Sequence, residues 1–147
     1  MSHADELARL EFPALPAFVG VARTLVAAVA ITVDGIDEAR REDLRIAVSE
    51  ACTNAVEAQL SGGLVQLVTL RCLADEERFE VRIEDSGAGF DPAALRPRPA
   101  VGPELLRSER GWGLQLIRAL VDEAHFTSTS TGTAVRLVLH RGAVEGP

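Results

Sequence analysis

The sequence predicts an α/β fold, an α+β two-layer sandwich with helices on one face of a mixed, mostly antiparallel sheet. Three observations predict it. Strand-like and helical segments follow in the order strand, helix, helix, strand, strand, loop, helix, strand, strand. In segment 78–85, Phe79, Val81 and Ile83 alternate with charged residues, which is typical of an antiparallel strand with one wet face. The second helical segment carries one stripe of small apolar residues, which suits close packing on a sheet.

The composition is that of one globular domain. The chain has 147 residues, of which 47% are hydrophobic and 25% charged. A chain of this length buries about two-thirds of its surface on folding, which favours one domain and excludes intrinsic disorder. The net charge of −7, without a basic cluster, argues against direct binding to nucleic acid.

Signals for export, membrane insertion and metal clusters do not occur in the sequence. Because no window of about 18 uninterrupted apolar residues is present, we expect no membrane contact. Residues 1–12 lack the basic start and apolar stretch of a secretion signal, so we expect a cytoplasmic protein. Neither Cys52 nor Cys72 belongs to a paired motif, which predicts reduced thiols and no zinc site.

The first half of the chain predicts one strand and two helices. Residues 7–12 alternate as a strand, and Pro13 and Pro16 end it. A helix follows to about residue 31, and a second helix covers about 37–60. The apolar positions of the first helix are Phe18, Val21, Ala22, Leu25 and Val29, and those of the second are Leu44, Ala47, Val48, Ala51, Ala55 and Ala58.

The second half predicts four strands, one helix and one long loop. The strands cover 64–73, 78–85, about 124–129 and 133–140, and the helix covers about 112–122. The irregular, proline-containing stretch 86–111 is longer than an ordinary connection, and loops of that length are usually functional lids or disordered.

A carboxylate and an amide share one edge of the second helix. Glu50 and Asn54 are four residues apart and therefore point the same way, beside the apolar stripe. One interpretation is a solvated helix edge. The other is a carboxylate base beside an amide oxygen that ligates Mg²⁺, a cation that prefers oxygen ligands.

Two glycine motifs follow. Asp85, Gly87 and Gly89 end a strand, where glycine permits close approach of a ligand to the main chain. Gly111 and Gly113 open the last predicted helix, where free backbone N–H groups favour an anion. A simple turn and a flexible hinge are the alternative interpretations. Neither motif is a Walker A loop or a Rossmann fingerprint.

Taken in this order, the three motifs resemble the N, G1 and G2 boxes of the GHKL ATPase superfamily, and Thr131-Gly132-Thr133 resembles the remaining box. The resemblance covers residues 8–140. The short length and the wording of AVSEACTNAVEA, RIEDSGAGFDP and GLQLIRALVDE are most similar to bacterial anti-sigma factors that double as serine/threonine kinases. This resemblance implies the Bergerat ATP-binding fold, with ATP and Mg²⁺ as cofactors.

The resemblance also implies a role for each motif residue. Glu50 would be the catalytic base that orients the acceptor hydroxyl, and Asn54 would hold the Mg²⁺ that bridges the phosphates. Asp85 would bind the adenine amino group, with Thr133 nearby. The other ATP-binding positions would be Gly87, Gly89, Arg107, Arg110, Gly111 and Gly113, the glycines giving room and one arginine reaching the β- and γ-phosphates.

The same resemblance implies an organisation and a set of partners. It divides the chain into a tail (1–7), an ATPase domain (8–141) with an ATP lid at about 91–110, and a second tail (142–147). The expected partners are a sigma factor, which the protein sequesters, and a STAS-type antagonist, which it phosphorylates on Ser or Thr. A homodimer is also expected, because family members are commonly dimers.

Two positions depart from the family pattern. Ala58 replaces a histidine that many members carry after the asparagine, and Trp112 stands between the G2 glycines where some relatives have arginine. These departures leave phosphotransfer open. The alternative function is therefore a catalytically silent module whose nucleotide regulates partner binding. An ATP-binding domain of a histidine kinase is a third interpretation, although the phosphoacceptor helices are missing.

Overall fold

The computed structural model describes residues 3–61, 66–85, 109–129 and 132–142. These residues form five strands and three α-helices. Their bounds are β1 (Asp5–Pro13), α1 (Val19–Ile31), α2 (Glu38–Ser61), β2 (Leu67–Ala74), β3 (Arg78–Asp85), α3 (Glu109–Leu120), β4 (Glu123–Thr129) and β5 (Gly132–His140). One turn of 3₁₀ helix, Pro16–Phe18, leads into α1.

The strands form a single sheet in the order β1-β2-β3-β5-β4. Every pairing among the described strands is antiparallel, so the mixed component of our prediction is not seen there. The hairpins β2–β3 and β4–β5 must be antiparallel, and the two consecutive helices α1 and α2 return the chain so that β2 also runs antiparallel to β1. The predicted α/β sandwich with helices on one face is otherwise confirmed.

Alternation along the strands separates a covered face from an open face. On β3, Phe79, Val81 and Ile83 are buried against the helices. The covered face, which we define as the face beneath the helices, supplies most of the core. The open face, opposite the helices, carries the charged side chains of the same strands, and this difference follows directly from the period of two in a strand.

Helix α2 lies at the centre of the helical layer and contacts α1, α3 and β3. Its predicted apolar stripe is buried from Leu44 to Ala55, while Ala58 is only half-buried. Helix α1 buries Ala22, Val26 and Ala30, a stripe of small and β-branched residues one turn apart. Val21, which we expected on the apolar side, is half exposed.

One cluster of polar contacts ties the start of α2 to the sheet. Arg40 forms an ion pair with Asp122 and donates a hydrogen bond to the carbonyl of His140 at 2.7 Å. The Asp122 carboxylate also accepts a hydrogen bond from the His140 N–H at 2.7 Å. These bonds hold the start of α2 against the end of β5. They therefore set the position along the sheet at which the later α2 residues pack.

Most predicted element bounds agree with the structure to within about three residues. Strand β1 begins at Asp5, inside the segment that we expected to be a tail, and α3 begins at Glu109 rather than at 112. Glu109 and Arg110 are good helix formers, and an acidic residue in the first turn favours the helix dipole, so the helix starts before its glycines. No helix in the described ranges combines the length and the apolar character needed to span a bilayer.

Candidate functional site

The covered face ends in a buried polar pair. Asp85 is the last residue of β3 and Thr133 is the second residue of β5, and the two are directly opposed in the antiparallel register. The Thr133 hydroxyl donates a hydrogen bond to the Asp85 carboxylate. Asp85 is 9% exposed and Thr133 is 5% exposed. An acidic acceptor held this firmly suits an amino group on a ligand, because an ionised carboxylate carries several acceptor lone pairs.

A second polar group lies on α2, above the sheet. Glu50 and Asn54 are one turn apart, so their side chains leave the helix on the same side, as the sequence spacing predicts. Both residues are half-buried. The structure brings them together with Gly113 of α3. A Cβ built at Gly113 would lie 2.8 Å from Glu50 Oε2 and 3.8 Å from Asn54 Nδ2.

The Gly113 contact explains why no side chain is present at this position of α3. Real Cβ atoms essentially never approach an oxygen within 3.0 Å, so alanine here would push the Glu50 carboxylate aside. The sequence showed the glycine but did not show that it faces Glu50. The sequence did offer one indication of a close contact, namely a glycine inside a helix. Such a glycine destabilises the helix by about 1 kcal/mol relative to alanine, and a close packing contact is a common reason for it.

The Asn54 amide is the second unusual feature of this group. Its Nδ2 atom is buried and has no hydrogen-bond partner in the described part of the chain. A buried amide N–H without a partner costs about 1–3 kcal/mol. Such a group is explained when a ligand from outside the chain completes it.

The glycines of the last motif lie slightly further into the helix than the sequence predicted. Because α3 begins at Glu109, Gly111 is in its first turn and Gly113 is two residues further along. The first four N–H groups of a helix lack intrahelical partners, so Gly111 retains a free donor but Gly113 does not. Gly113 therefore contributes space for Glu50 rather than an N–H group for an anion.

Several predicted positions lie outside the description. Gly87, Gly89 and Arg107 are outside the described residues, as is most of the predicted lid 91–110. Arg110 belongs to α3, but its side chain is not described. Their roles remain predictions.

The residues present fit a magnesium nucleotide. An asparagine presents its oxygen to a cation or its NH₂ group to an anionic oxygen, so Asn54 suits a metal–phosphate group in either orientation. Gly113 adjoins it and leaves room for the Glu50 carboxylate, and the Asp85–Thr133 pair offers an acceptor for a ring amino group. The described residues contain no cluster of three or more His, Cys, Asp or Glu that could hold a metal ion by itself.

Comparison with known proteins identifies relatives over nearly the whole chain. The family model described as the histidine kinase-like ATPase domain matches residues 12–139. The serine-protein kinase RsbW of Bacillus pumilus is 35% identical over 99% of this chain and 93% of its own length. The RsbW proteins of Bacillus subtilis and of Listeria monocytogenes EGD-e are 34% and 35% identical, over 88% and 78% of this chain and 83% and 74% of their own lengths.

Two solved structures share the fold. The RsbU and RsbW domains of Rv1364c from Mycobacterium tuberculosis align with a TM-score of 0.64 at 19% identity, over 93% of this chain and 35% of that one. The histidine kinase domain of Erythrobacter litoralis EL346 aligns with a TM-score of 0.55 at 21% identity, over 92% of this chain and 67% of that one. The family predicted from the motifs is therefore confirmed, and the chain belongs to the histidine kinase-like ATPase family.

Proposed function

We propose that this protein is an ATP-dependent serine/threonine kinase of the anti-sigma class. It sequesters a sigma factor in the cytoplasm and phosphorylates a Ser or Thr of a STAS-type antagonist, as a homodimer. The kinase part is supported by relatives named serine-protein kinase at about 35% identity. The observation that carries the proposal is the buried Asn54 Nδ2 atom, which has no hydrogen-bond partner in the described residues and lies beside the Glu50 carboxylate at Gly113.

The chain's own residues divide the work between two ends of the pocket. Asp85, oriented by Thr133, accepts a hydrogen bond from the adenine amino group. Asn54 would hold Mg²⁺, which would neutralise phosphate charge. Gly87, Gly89 and Gly111 give room to the nucleotide, and Arg107 or Arg110 contacts the β- and γ-phosphates. Positioning and charge neutralisation of this kind dominate phosphoryl transfer.

Glu50 is the proposed base. Its carboxylate lies against Gly113, where no side chain separates it from the space beside Asn54. From there it accepts the proton of the acceptor hydroxyl and holds that hydroxyl in line with the transferred phosphoryl group. General-base groups contribute about 10²–10⁴-fold to rate.

Nucleotide binding is tested by thermal unfolding with ATP and Mg²⁺. A ligand that binds only the folded state at a hundredfold excess over its Kd stabilises it by about 2.7 kcal/mol. We expect this shift in the wild type and its loss in Asp85→Ala. Glu84→Ala is the matched control, because Glu84 precedes Asp85 on β3 and lies on the open face. A full shift in Asp85→Ala would refute the adenine contact.

Phosphotransfer is tested with labelled ATP and the cognate antagonist. We expect Glu50→Gln to lower the transfer rate by about 10²-fold or more while ATP binding remains. Glu42→Gln is the control, because Glu42 is an exposed α2 residue that pairs with Arg45 at 2.7 Å. Undiminished transfer in Glu50→Gln would remove the base role.

Ala58 favours a second candidate function. The helix turn after the motif asparagine lacks the imidazole of many family members, and Ala58 is half-buried one turn after Asn54 on α2. A silent module would bind ATP and capture its sigma factor, yet transfer no phosphate. The wild-type assay above separates the two candidates.

A further inference from the structure

Helices α2 and α3 are held at both ends of their contact. At one end, Gly113 of α3 lies against Glu50 of α2. At the other end, Arg40 in the first turn of α2 forms an ion pair with Asp122, two residues after α3 ends. Asp37 caps this turn of α2 by accepting a hydrogen bond from the Arg40 N–H at 2.8 Å. The two helices therefore run antiparallel, with the candidate site at one end and the ion pair at the other.

The two contacts are nearly equally spaced on both helices. Positions 40 and 50 are ten residues apart on α2, and positions 113 and 122 are nine residues apart on the returning chain. At about 1.5 Å per residue, each span is about 14–15 Å. Because the spans match, neither helix can slide along the other without breaking the ion pair or displacing the Glu50 carboxylate.

The ion pair is also anchored to the sheet. Arg40 Nη1 donates a hydrogen bond to the His140 carbonyl at 2.7 Å, and the Asp122 carboxylate accepts one from the His140 N–H at 2.7 Å. His140 is the last residue of β5, whereas Thr133 is its second residue. One strand therefore carries the anchor of α2 at one end and the Asp85–Thr133 pair at the other, so it sets the spacing between the two ends of the candidate pocket.

The site leaves little room for a change in that spacing. A Cβ at Gly113 would lie 2.8 Å from Glu50 Oε2, so the gap between α3 and the carboxylate is too small for a methyl group. A slide of α3 by one helical residue would move Gly113 by about 1.5 Å. A misplacement of about 1 Å, caused by a change far from the reacting atoms, can slow an enzyme by about 10²-fold.

We propose that Arg40 and Asp122 are positioning residues for phosphotransfer. They fix the offset between α2 and α3, and so hold the Glu50 carboxylate in line with the acceptor hydroxyl and Asn54 at the phosphate end. This role rests on the proposed kinase function. Both residues act through Glu50 and Asn54 and not by contact with the nucleotide, because Arg40 lies about 15 Å from Glu50 along α2.

The assay with labelled ATP and the cognate antagonist tests this role. Arg40→Ala and Asp122→Ala should each lower kcat about tenfold or more. The double variant R40A/D122A should be no slower than either, because the two side chains act as one unit. In a Glu50→Gln background, Arg40→Ala should lower kcat by about twofold or less, since the group that it positions is already absent. Arg40→Lys keeps the charge without the planar fork and should recover part of the rate, and it replaces Arg40→Ala if that variant does not fold.

Two other arginines supply matched controls. Arg141 lies at the same end of the sheet and donates hydrogen bonds to two backbone carbonyls, one in the α1–α2 turn and one after β2. Arg141→Ala therefore removes similar bonds without changing the contact between α2 and α3. Arg45 is nearer to Glu50 along α2, but it pairs with Glu42 of the same helix at 2.7 Å. Both Arg141→Ala and Arg45→Ala should transfer phosphate at nearly the wild-type rate.

NMR separates this role from the kinase function, because it requires no phosphotransfer. The Gly113 backbone amide and the Asn54 side-chain amide should shift in Arg40→Ala and stay in place in Arg141→Ala. Unchanged resonances in Arg40→Ala, an equal loss of rate in Arg141→Ala, or a full loss from Arg40→Ala in the Glu50→Gln background would overturn the proposal. A wild type that transfers no phosphate would refute the kinase function instead, and the NMR comparison would still decide whether Arg40 sets the helix offset.

Discussion

The two faces of the sheet differ in how many polar side chains they carry and in how those side chains are paired. The covered face is apolar along β3 until Asp85, which meets Thr133 in a buried pair. The open face carries charged side chains on every strand, although Leu73 and Val138, which oppose Glu80, are buried there. A row of basic side chains crosses all five strands in directly opposed positions, namely Arg9, Arg71, Arg82, Arg136 and His125.

The charge on the open face is neutralised within the chain. Opposed like charges destabilise a sheet, and glutamates from adjacent rows offset them here. Glu80 lies 2.5 Å from Arg82 Nε and 2.9 Å from Arg136 Nε, and Glu6 lies 2.6 Å from Arg71 Nε. Arg136 Nε is buried without a well-aligned hydrogen bond, but the Glu80 carboxylate at 2.9 Å still balances its charge. On the helical side, Asn54 Nδ2 is also buried and has no hydrogen-bond partner in the described residues. The difference teaches that the charges of the open face are balanced within the chain, whereas the Asn54 donor is left for a ligand to complete.

The largest expected effect lies on the covered face. Phe79→Ala removes a ring that is 1% exposed, and we expect a loss of about 3–5 kcal/mol in the free energy of unfolding, from lost burial and a cavity. Urea unfolding measures it. Arg78→Ala, the adjacent open-face residue, should change stability by about 0.5 kcal/mol or less. Equal losses in both variants would contradict the assignment of faces.

On the open face, the largest effect should come from Glu80. Its side chain is 12% exposed and contacts two guanidinium groups. Glu80→Gln should lower the free energy of unfolding by about 1–3 kcal/mol, because hydrogen bonds to charged groups are lost and two arginines keep uncompensated charge. Glu84→Gln on the same strand is the control, with about 0.5 kcal/mol or less expected. An unchanged urea midpoint in Glu80→Gln would show that the row of basic side chains on the open face is stable without the Glu80 carboxylate.

The buried thiols give a pH-dependent effect. Burial raises the pKa of both Cys52 and Cys72 from 9.0 to about 12. The native thiols therefore stay protonated when unfolded thiols ionise, and stability falls as pH rises above 9. We expect a loss of about 1 kcal/mol per thiol between pH 9 and pH 10.

The composition makes this test clean. The chain has no tyrosine, and its 15 basic residues are all arginine, so the thiols are the only side chains that ordinarily titrate in this range. Urea unfolding of the wild type and of a C52A/C72A variant at both pH values measures the difference. The variant should be insensitive to this pH change. Fast reaction of the native thiols with a thiol reagent near pH 8 would contradict their burial.

The smallest effect should come from the exposed Glu6–Arg71 pair. The hydrogen bond from Arg71 lowers the pKa of Glu6 below its ordinary value of 4.5. A lowered native pKa means that ionised Glu6 favours the fold above pH 4.5, and this contribution disappears as pH falls through the native pKa. Glu6→Gln should therefore have a slightly lower urea midpoint than the wild type at pH 7, and the two should converge in acid. If the difference between the two urea midpoints grew in acid, folding would raise the pKa of Glu6, which would contradict the assigned direction.

The sequence by itself determined the order of the elements, the alternation along β3 and the placement of Asp85 at the end of that strand. These features follow from local periods and turn residues, which act over a few positions. The same logic placed Glu50 beside Asn54, because one helical turn separates them.

Only the tertiary structure decided which distant residues meet. Asp85 and Thr133 are 48 residues apart, and the strand order β1-β2-β3-β5-β4 makes them neighbours. Gly113 lies against Glu50 because α3 packs on α2 and begins at Glu109. Periodicity fixes the side on which a residue lies, but the residue opposite it depends on how whole elements pack.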